Sequence, residues 1–227
     1  MANGSIKTKD AYLVEALRLF SERGYEAVGV AEIAKAVGVT TTALYKHYAG
    51  KQALFDAIVE KSEREFSETL SRLHIDFDKH PESKFKLLSM SEKDQIDMLL
   101  GLFNSVAGSE FNVYFRKLVT VEQFNQPELA EKYYQRFIDG NISAFESLMQ
   151  VWIDGKIINK GNPRVLAYQY LSPVLLLVEI CDRNPERKGE ALDLIERHVR
   201  QFNKENKVET ETKGGLFNGV IRGQRFR

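Results

Sequence analysis

The 227-residue chain has one cysteine, five prolines, one tryptophan and no surplus of either charge. Each scarcity removes a class of protein. A single thiol, Cys181, forms no intrachain disulfide, so the fold must rest on a hydrophobic core, which fits the reducing cytoplasm. With 32 basic and 32 acidic residues the formal charge is zero. That argues against coating nucleic acid over the whole surface, though a local basic face stays open. No apolar run reaches the roughly 20 residues of a bilayer-crossing helix. The best, 171–180, is about half that and holds Pro173 and Glu179, so no membrane partner is expected. Residues 1–10 are polar and lack an apolar export core.

What is present reads as globular and helical. Hydrophobic residues make up 43% and charged residues 28%, and the length suits a small domain followed by a larger one. The prolines, at 81, 127, 163, 173 and 185, mostly stand where helical patterns begin or pause. Leu13, Ala16, Leu17 and Phe20 form one apolar stripe that Arg23-Gly24 closes. Val30, Ile33, Ala34 and Val37 form a second, ended by Gly38. Thr40 then offers a hydroxyl N-cap to a third short helix with Leu44 and Tyr48 inside. From Gln52 the pattern lengthens to a helix of about 20 residues, roughly 30 Å long. Five further helices are predicted at about 91–108, 110–124, 127–154, 163–182 and 185–206. Asn162 and Asn184 serve as N-caps before Pro163 and Pro185, and Pro173 predicts a kink or break. About nine helices result: residues 1–51 as one domain, 52–206 as a second, and 207–227 as a disordered basic tail.

The segment around Gly38 carries the functional signal. A glycine at φ > 0 can reverse the chain between two short helices, giving a helix-turn-helix. Beyond it, Thr40, Thr41 and Thr42 present hydroxyls at a helix start, and Tyr45, Lys46 and His47 follow. With Leu44 inside, the helical step turns Thr41, Thr42, Tyr45 and Lys46 outward, toward a DNA groove. Lys51 adds a candidate phosphate contact. Residues 1–51 hold seven Lys or Arg and five Asp or Glu, a net of +2, so affinity rests on placed contacts more than on a broad field.

Ile33-Ala34, Gly38-Val39-Thr40, Leu44-Tyr45, His47-Tyr48, Lys51 and Leu54-Phe55, preceded by Leu19-Phe20 and Gly24-Tyr25, resemble the N-terminal signature of the tetracycline-repressor (TetR) family over residues 6–59. The resemblance implies an all-α homodimer with a three-helix DNA-binding head, a connecting fourth helix and a helical effector domain that pairs through its last two helices. It implies a regulator, most often a repressor, that binds a near-palindromic double-stranded operator and answers to a small molecule. Two positions depart from the pattern. Val28-Gly29 stands where many members carry Thr-Ser, and Thr42 where a glycine or proline is frequent.

In the second region Phe103, Tyr114, Tyr134, Phe137, Trp152 and Tyr168 are candidate effector-lining residues, since such sites combine apolar walls with a few polar handles. Leu192, Ile195, Val199 and Phe202 form a stripe in the last helix, explained either by intrachain packing or by a subunit interface. His74, Asp76, Asp78 and His80 alternate, but in a helix-ending linker this does not suit a metal site. No His-Glu-x-x-His, phosphate-cradling glycine loop or Gly-x-Ser-x-Gly elbow occurs. The expected protein is therefore no enzyme and has neither metal nor cofactor. The rival is an all-helical ligand carrier or enzyme in which the helix-turn-helix is merely structural.

Overall fold

The computed structural model describes residues 9–73 and 83–208. The His74-to-His80 cluster and residues 209–227 of the expected tail lie outside the described residues. Among those described, the chain is helical throughout, with α1 Lys9–Arg23, α2 Val30–Val37, α3 Thr41–Tyr45, α4 Lys51–Arg72, α5 Ser83–Leu88, α6 Glu92–Ala107, α7 Glu110–Glu122, α8 Pro127–Tyr133, α9 Gly140–Asp154, α10 Pro163–Arg183 and α11 Lys188–Asn206. Eleven α-helices replace the expected nine for two reasons. The short α5 carries too few residues to show a periodic stripe. The single helix expected over 127–154 holds one π-helical stretch, Tyr134–Asp139, which separates α8 from α9.

Two hydrophobic cores organise these helices. The first gathers Leu13, Leu17 and Phe20 of α1, Ile33 and Val37 of α2, Leu44 of α3 and Leu54 and Ile58 of α4. It also includes Phe111, Phe115, Leu118 and Val119 of α7 and Leu129 of α8. It therefore does not stop at residue 51, because α7 packs along α1. The second core is built on α10, which lies against α6, α9 and α11. Its largest fully buried side chains include Trp152 and Tyr170. Trp152 Nε1 donates to the Leu87 carbonyl at 3.1 Å, fastening α5 to α9.

Helix α10 is long and apolar enough, by length and composition, to cross a membrane. Here Leu166, Ala167, Tyr170, Leu171, Val174, Leu177 and Val178 are instead buried in the second core. Pro173 does not break it; a single α-helix runs from Pro163 to Arg183. Of the two asparagine caps, Asn162 accepts from Val165 N–H at 3.1 Å as expected. Asn184 does not cap α11: its Nδ2 donates back to the Ile180 carbonyl, and a 3₁₀ turn over Pro185–Arg187 precedes the helix. Lys207, assigned from sequence to the tail, forms an antiparallel bridge with Ile158.

Candidate nucleic-acid interface

The interface is built by three helices in sequence. Gly24, with φ of +83°, turns the chain out of α1, its N–H donating to Phe20 O at 2.9 Å. α2 begins at Gly29 without any side-chain cap, as Val28-Gly29 predicts, and ends at Gly38, whose φ of 75° and ψ of 40° are left-handed. Any other residue would be strained there. Thr40 then caps α3, its Oγ1 accepting from Ala43 N–H at 3.2 Å. This hydroxyl is committed to the fold and is a weaker candidate for DNA than its neighbours. Leu44 is fully buried and anchors the helix. Thr42, Tyr45, Lys46 and His47 are exposed and Thr41 is half-buried; Tyr45 leaves 52% of its surface free. A large aromatic held outward beside a cation is what contact with base edges and phosphates needs, and the fold itself does not need it.

The cations near this surface fall into two groups. Arg18 is held by Glu15 and Glu22, and Arg23 by Glu32. Lys51 is turned back on its own chain. Its Nζ donates to the Glu26 carbonyl at 3.3 Å and lies 4.2 Å from the centre of the Tyr25 ring. The expected phosphate contact from Lys51 thus competes with an intrachain one. Lys35 and Lys46 are exposed and have no ionic partner among the described residues. Lys35, at the end of α2, was missed from sequence because it precedes the turn and carries no helix-start signature.

The tyrosines that stay inside serve the scaffold. Tyr48 packs edge-on to Tyr12, 6.3 Å between centroids, and burial raises its phenol above the usual value. Burial does the same for Tyr25, whose OH donates to Gln52 Oε1 at 2.9 Å.

Behind the head lies a cavity of about 200 Å³ lined by α4, α6, α7, the end of α8, the π-helical stretch, the start of α9 and α10. Of the residues expected to line an effector site, Phe103 and Phe137 border this cavity. Tyr114, Tyr134, Trp152 and Tyr168 do not. Tyr114 bonds to Glu110 at 3.0 Å, Trp152 is sealed in the second core, and Tyr134 and Tyr168 are exposed. Sequence reasoning missed Phe66, Phe115, Tyr133, Arg116 and Asn141. Their shared signal was weak, because the lining comes from seven separate elements. Burial pushes the Tyr133 phenol up to about 12.

The sequence model described as "Bacterial regulatory proteins, tetR family" matches residues 13–58. The chain is 45% identical over 62 residues, 27% of its length, to the HTH-type transcriptional regulator AcrR of Shigella flexneri, and this match spans 29% of that protein. It is 27% identical over 168 residues to the nucleoid occlusion factor SlmA of Haemophilus influenzae, covering 59% of this chain and 77% of SlmA. Among solved structures, SmeT, the repressor of the Stenotrophomonas maltophilia multidrug efflux pump SmeDEF, superposes with a TM-score of 0.60 at 18% identity, over 90% of this chain and 93% of SmeT. The head thus matches the TetR family over residues 13–58.

The resemblance in the head implied pairing through the last two helices, and the stripe in α11 bears on that expectation. Ile195, Val199 and Phe202 are buried in the chain's own second core and Leu192 is partly buried against it. That stripe is intrachain packing, because the same 3-4 spacing serves either purpose. The apolar residues left outside on these helices are Val165, Tyr168 and Leu176 of α10 and Leu194 of α11. The three on α10, with the exposed Ser172 between them, fall within one turn-to-turn strip of the helix surface.

Proposed function

We propose that this protein is a sequence-specific DNA-binding transcription regulator of the repressor type, working as a homodimer that a small-molecule effector releases from its operator. The observation that carries the reading is the exposure of Thr42, Tyr45, Lys46 and His47 on a helix fixed by buried Leu44 and the left-handed Gly38 turn. Paired across a twofold axis, two such helices enter successive major grooves, so half-sites stand about 34 to 36 Å apart, one turn of duplex. The pairing surface is the strip formed by Val165, Tyr168 and Leu176. A dimer gives that apolar area a reason to be outside.

The cavity is the effector site in this reading. α4 joins it to the head: Leu54, Phe55 and Ile58 lie in the head core, while Glu65, Phe66 and Thr69 line the cavity. A ligand that binds better when α4 is displaced shifts the dimer toward a head spacing that no longer fits the operator. One that binds both arrangements equally shifts nothing. The test is selection of genomic fragments by the purified protein. Enrichment of a near-palindrome supports the regulator, and an unenriched pool at low salt refutes it.

A further inference from the structure

The cavity's polar inventory is unbalanced in one place. Asn141 is 5% exposed. Its Nδ2 donates to the Phe137 carbonyl at 2.6 Å, which settles which way the amide points. Asn141 lines the cavity, and its other amide atom, Oδ1, is buried with no hydrogen-bond partner among the described residues. A buried acceptor without a donor costs free energy that a ligand donor can recover. The π-helical stretch Tyr134–Asp139 ends just before this residue, and such irregular turns concentrate at functional sites.

The charges around the cavity are, in contrast, already matched. Among the described residues Arg116 is its only basic lining residue. Its Nε and Nη2 grip both oxygens of Asp182 at 2.5 and 2.6 Å, and Nη1 donates to the Val106 carbonyl at 3.1 Å. Glu65 pairs with Lys61 at 3.2 Å and Glu179 with Arg183 at 2.8 Å. The described set sums to zero, with no unpaired cation among the described lining residues to receive a carboxylate or phosphate, and an anion would compete with a buried bidentate pair. The walls are ring faces and edges from Phe66, Phe103, Phe115, Tyr133 and Phe137. At about 200 Å³ the space is somewhat larger than the roughly 150 Å³ apolar cavity that takes up benzene.

We propose that this cavity binds an uncharged aromatic molecule of one or two fused rings that donates a hydrogen bond to Asn141 Oδ1. The proposal rests on the cavity being the effector site and deepens that reading by naming the ligand's class. An anionic ligand is disfavoured because the charge of Arg116 is already matched by the bidentate Asp182 carboxylate. An aromatic without a donor leaves Oδ1 unpaired.

The experiment uses the full chain and three probes of one skeleton: 2-naphthol, 2-methoxynaphthalene and 2-naphthoate. Calorimetric titration is expected to rank 2-naphthol first, with 2-methoxynaphthalene weaker by about tenfold for the missing donor and 2-naphthoate weaker still. In Asn141→Leu the hydroxyl and methoxy compounds should bind alike; a ratio that persists in this variant is steric and overturns the proposal. If Asn141→Leu does not fold, the ranking on the unaltered protein still decides. Equal affinities, tightest binding of 2-naphthoate, or binding of none of the three overturns it. Calorimetry involves no DNA, so the two readings fail separately. A protein that ranks the probes as expected but selects no duplex loses the regulator and keeps the ligand class. One that selects an operator but does not rank them keeps the regulator and loses the ligand class.

Discussion

Lys46 and Lys51 sit five positions apart in the head, yet their surroundings differ, and salt separates the roles proposed for them. Lys46 is exposed and has no ionic partner among the described residues, at the C-cap of α3. If each subunit places it on one phosphate, the dimer releases counterions from two, and Lys46→Ala should flatten the plot of log affinity against log salt by about 1.8, from about 0.9 per phosphate. Between about 50 and 200 mM salt, the advantage of the unaltered protein should then shrink roughly twelvefold. Lys51 is engaged with the Glu26 carbonyl and the Tyr25 ring. Lys51→Ala should leave that slope nearly unchanged and lower head stability by about 0.5–1 kcal/mol, the worth of a solvent-exposed cation–π contact. Fluorescence anisotropy with a selected operator at four salt concentrations gives the slopes, and urea unfolding gives the stability. Were Lys51→Ala to flatten the slope as much as Lys46→Ala, or Lys46→Ala to leave it untouched, the division of labour would be refuted.

Thr40→Ala removes the hydroxyl that accepts from Ala43 N–H and should destabilise the head by about 1 kcal/mol, seen as a lower urea midpoint; an unchanged midpoint would show the cap to be idle. Leu176→Asp, on an exposed strip residue that is 61% accessible, should yield folded monomers by sedimentation. Ile195→Asp, at a fully buried position, should instead unfold the protein, since it buries an unpaired charge. Tyr133 bears on alkaline stability. Its folded-state phenol ionises at about 12, above the roughly 10 of an unfolded chain. The stabilisation it gives is whole below about pH 10 and lost as pH rises through about 12. Tyr133→Phe should therefore lose less stability than the unaltered protein between these values in urea titrations, and equal losses would contradict the assignment.

The head was legible in the sequence because its determinants are local. Gly38 must be left-handed, Thr40 caps the helix three residues ahead of Ala43, and Leu44 is the one buried side chain of a five-residue helix; each acts within a turn of itself. Helix existence in the second region was equally legible, but azimuth was not. A 3-4 stripe says that one face of α11 is covered, and it is silent on whether the cover is α6 and α10 or another subunit. Trp152 and Tyr168 failed as cavity residues for the same reason, since aromatic identity does not fix direction. The cavity draws Phe66, Phe115 and Asn141 from positions up to 75 residues apart, and no local pattern joins them. The π-helical stretch has no sequence signature of its own. Asn162 and Asn184 both precede proline, yet only the first caps, because the chain after Asn184 turns as a 3₁₀ helix first.

The two cores are not independent, and this bears on how a ligand could reach DNA. Phe115 of α7 lines the cavity and also belongs to the head core. One turn before the end of the same helix's packing on α1, Leu118 is buried in that core. At its last residue the buried carboxylate of Glu122 accepts the Tyr25 N–H at 2.7 Å, across 97 positions of sequence. A Cβ on Gly24 would approach that carboxylate to 3.1 Å, so the turn leading into α2 is fitted to α7. Packing continuity of this kind is a route and not yet a coupling. Moving a two-state dimer from almost wholly bound to almost wholly released takes about 5.5 kcal/mol of differential ligand affinity. The Glu122 contact, at about 1–3 kcal/mol for a buried donor left unpaired, cannot supply it alone. In the proposed reading the ligand must therefore act through more than this contact, and Phe66 of α4 and Phe115 of α7 both line the cavity it would fill. A ligand touching only one of them would bind without releasing the operator.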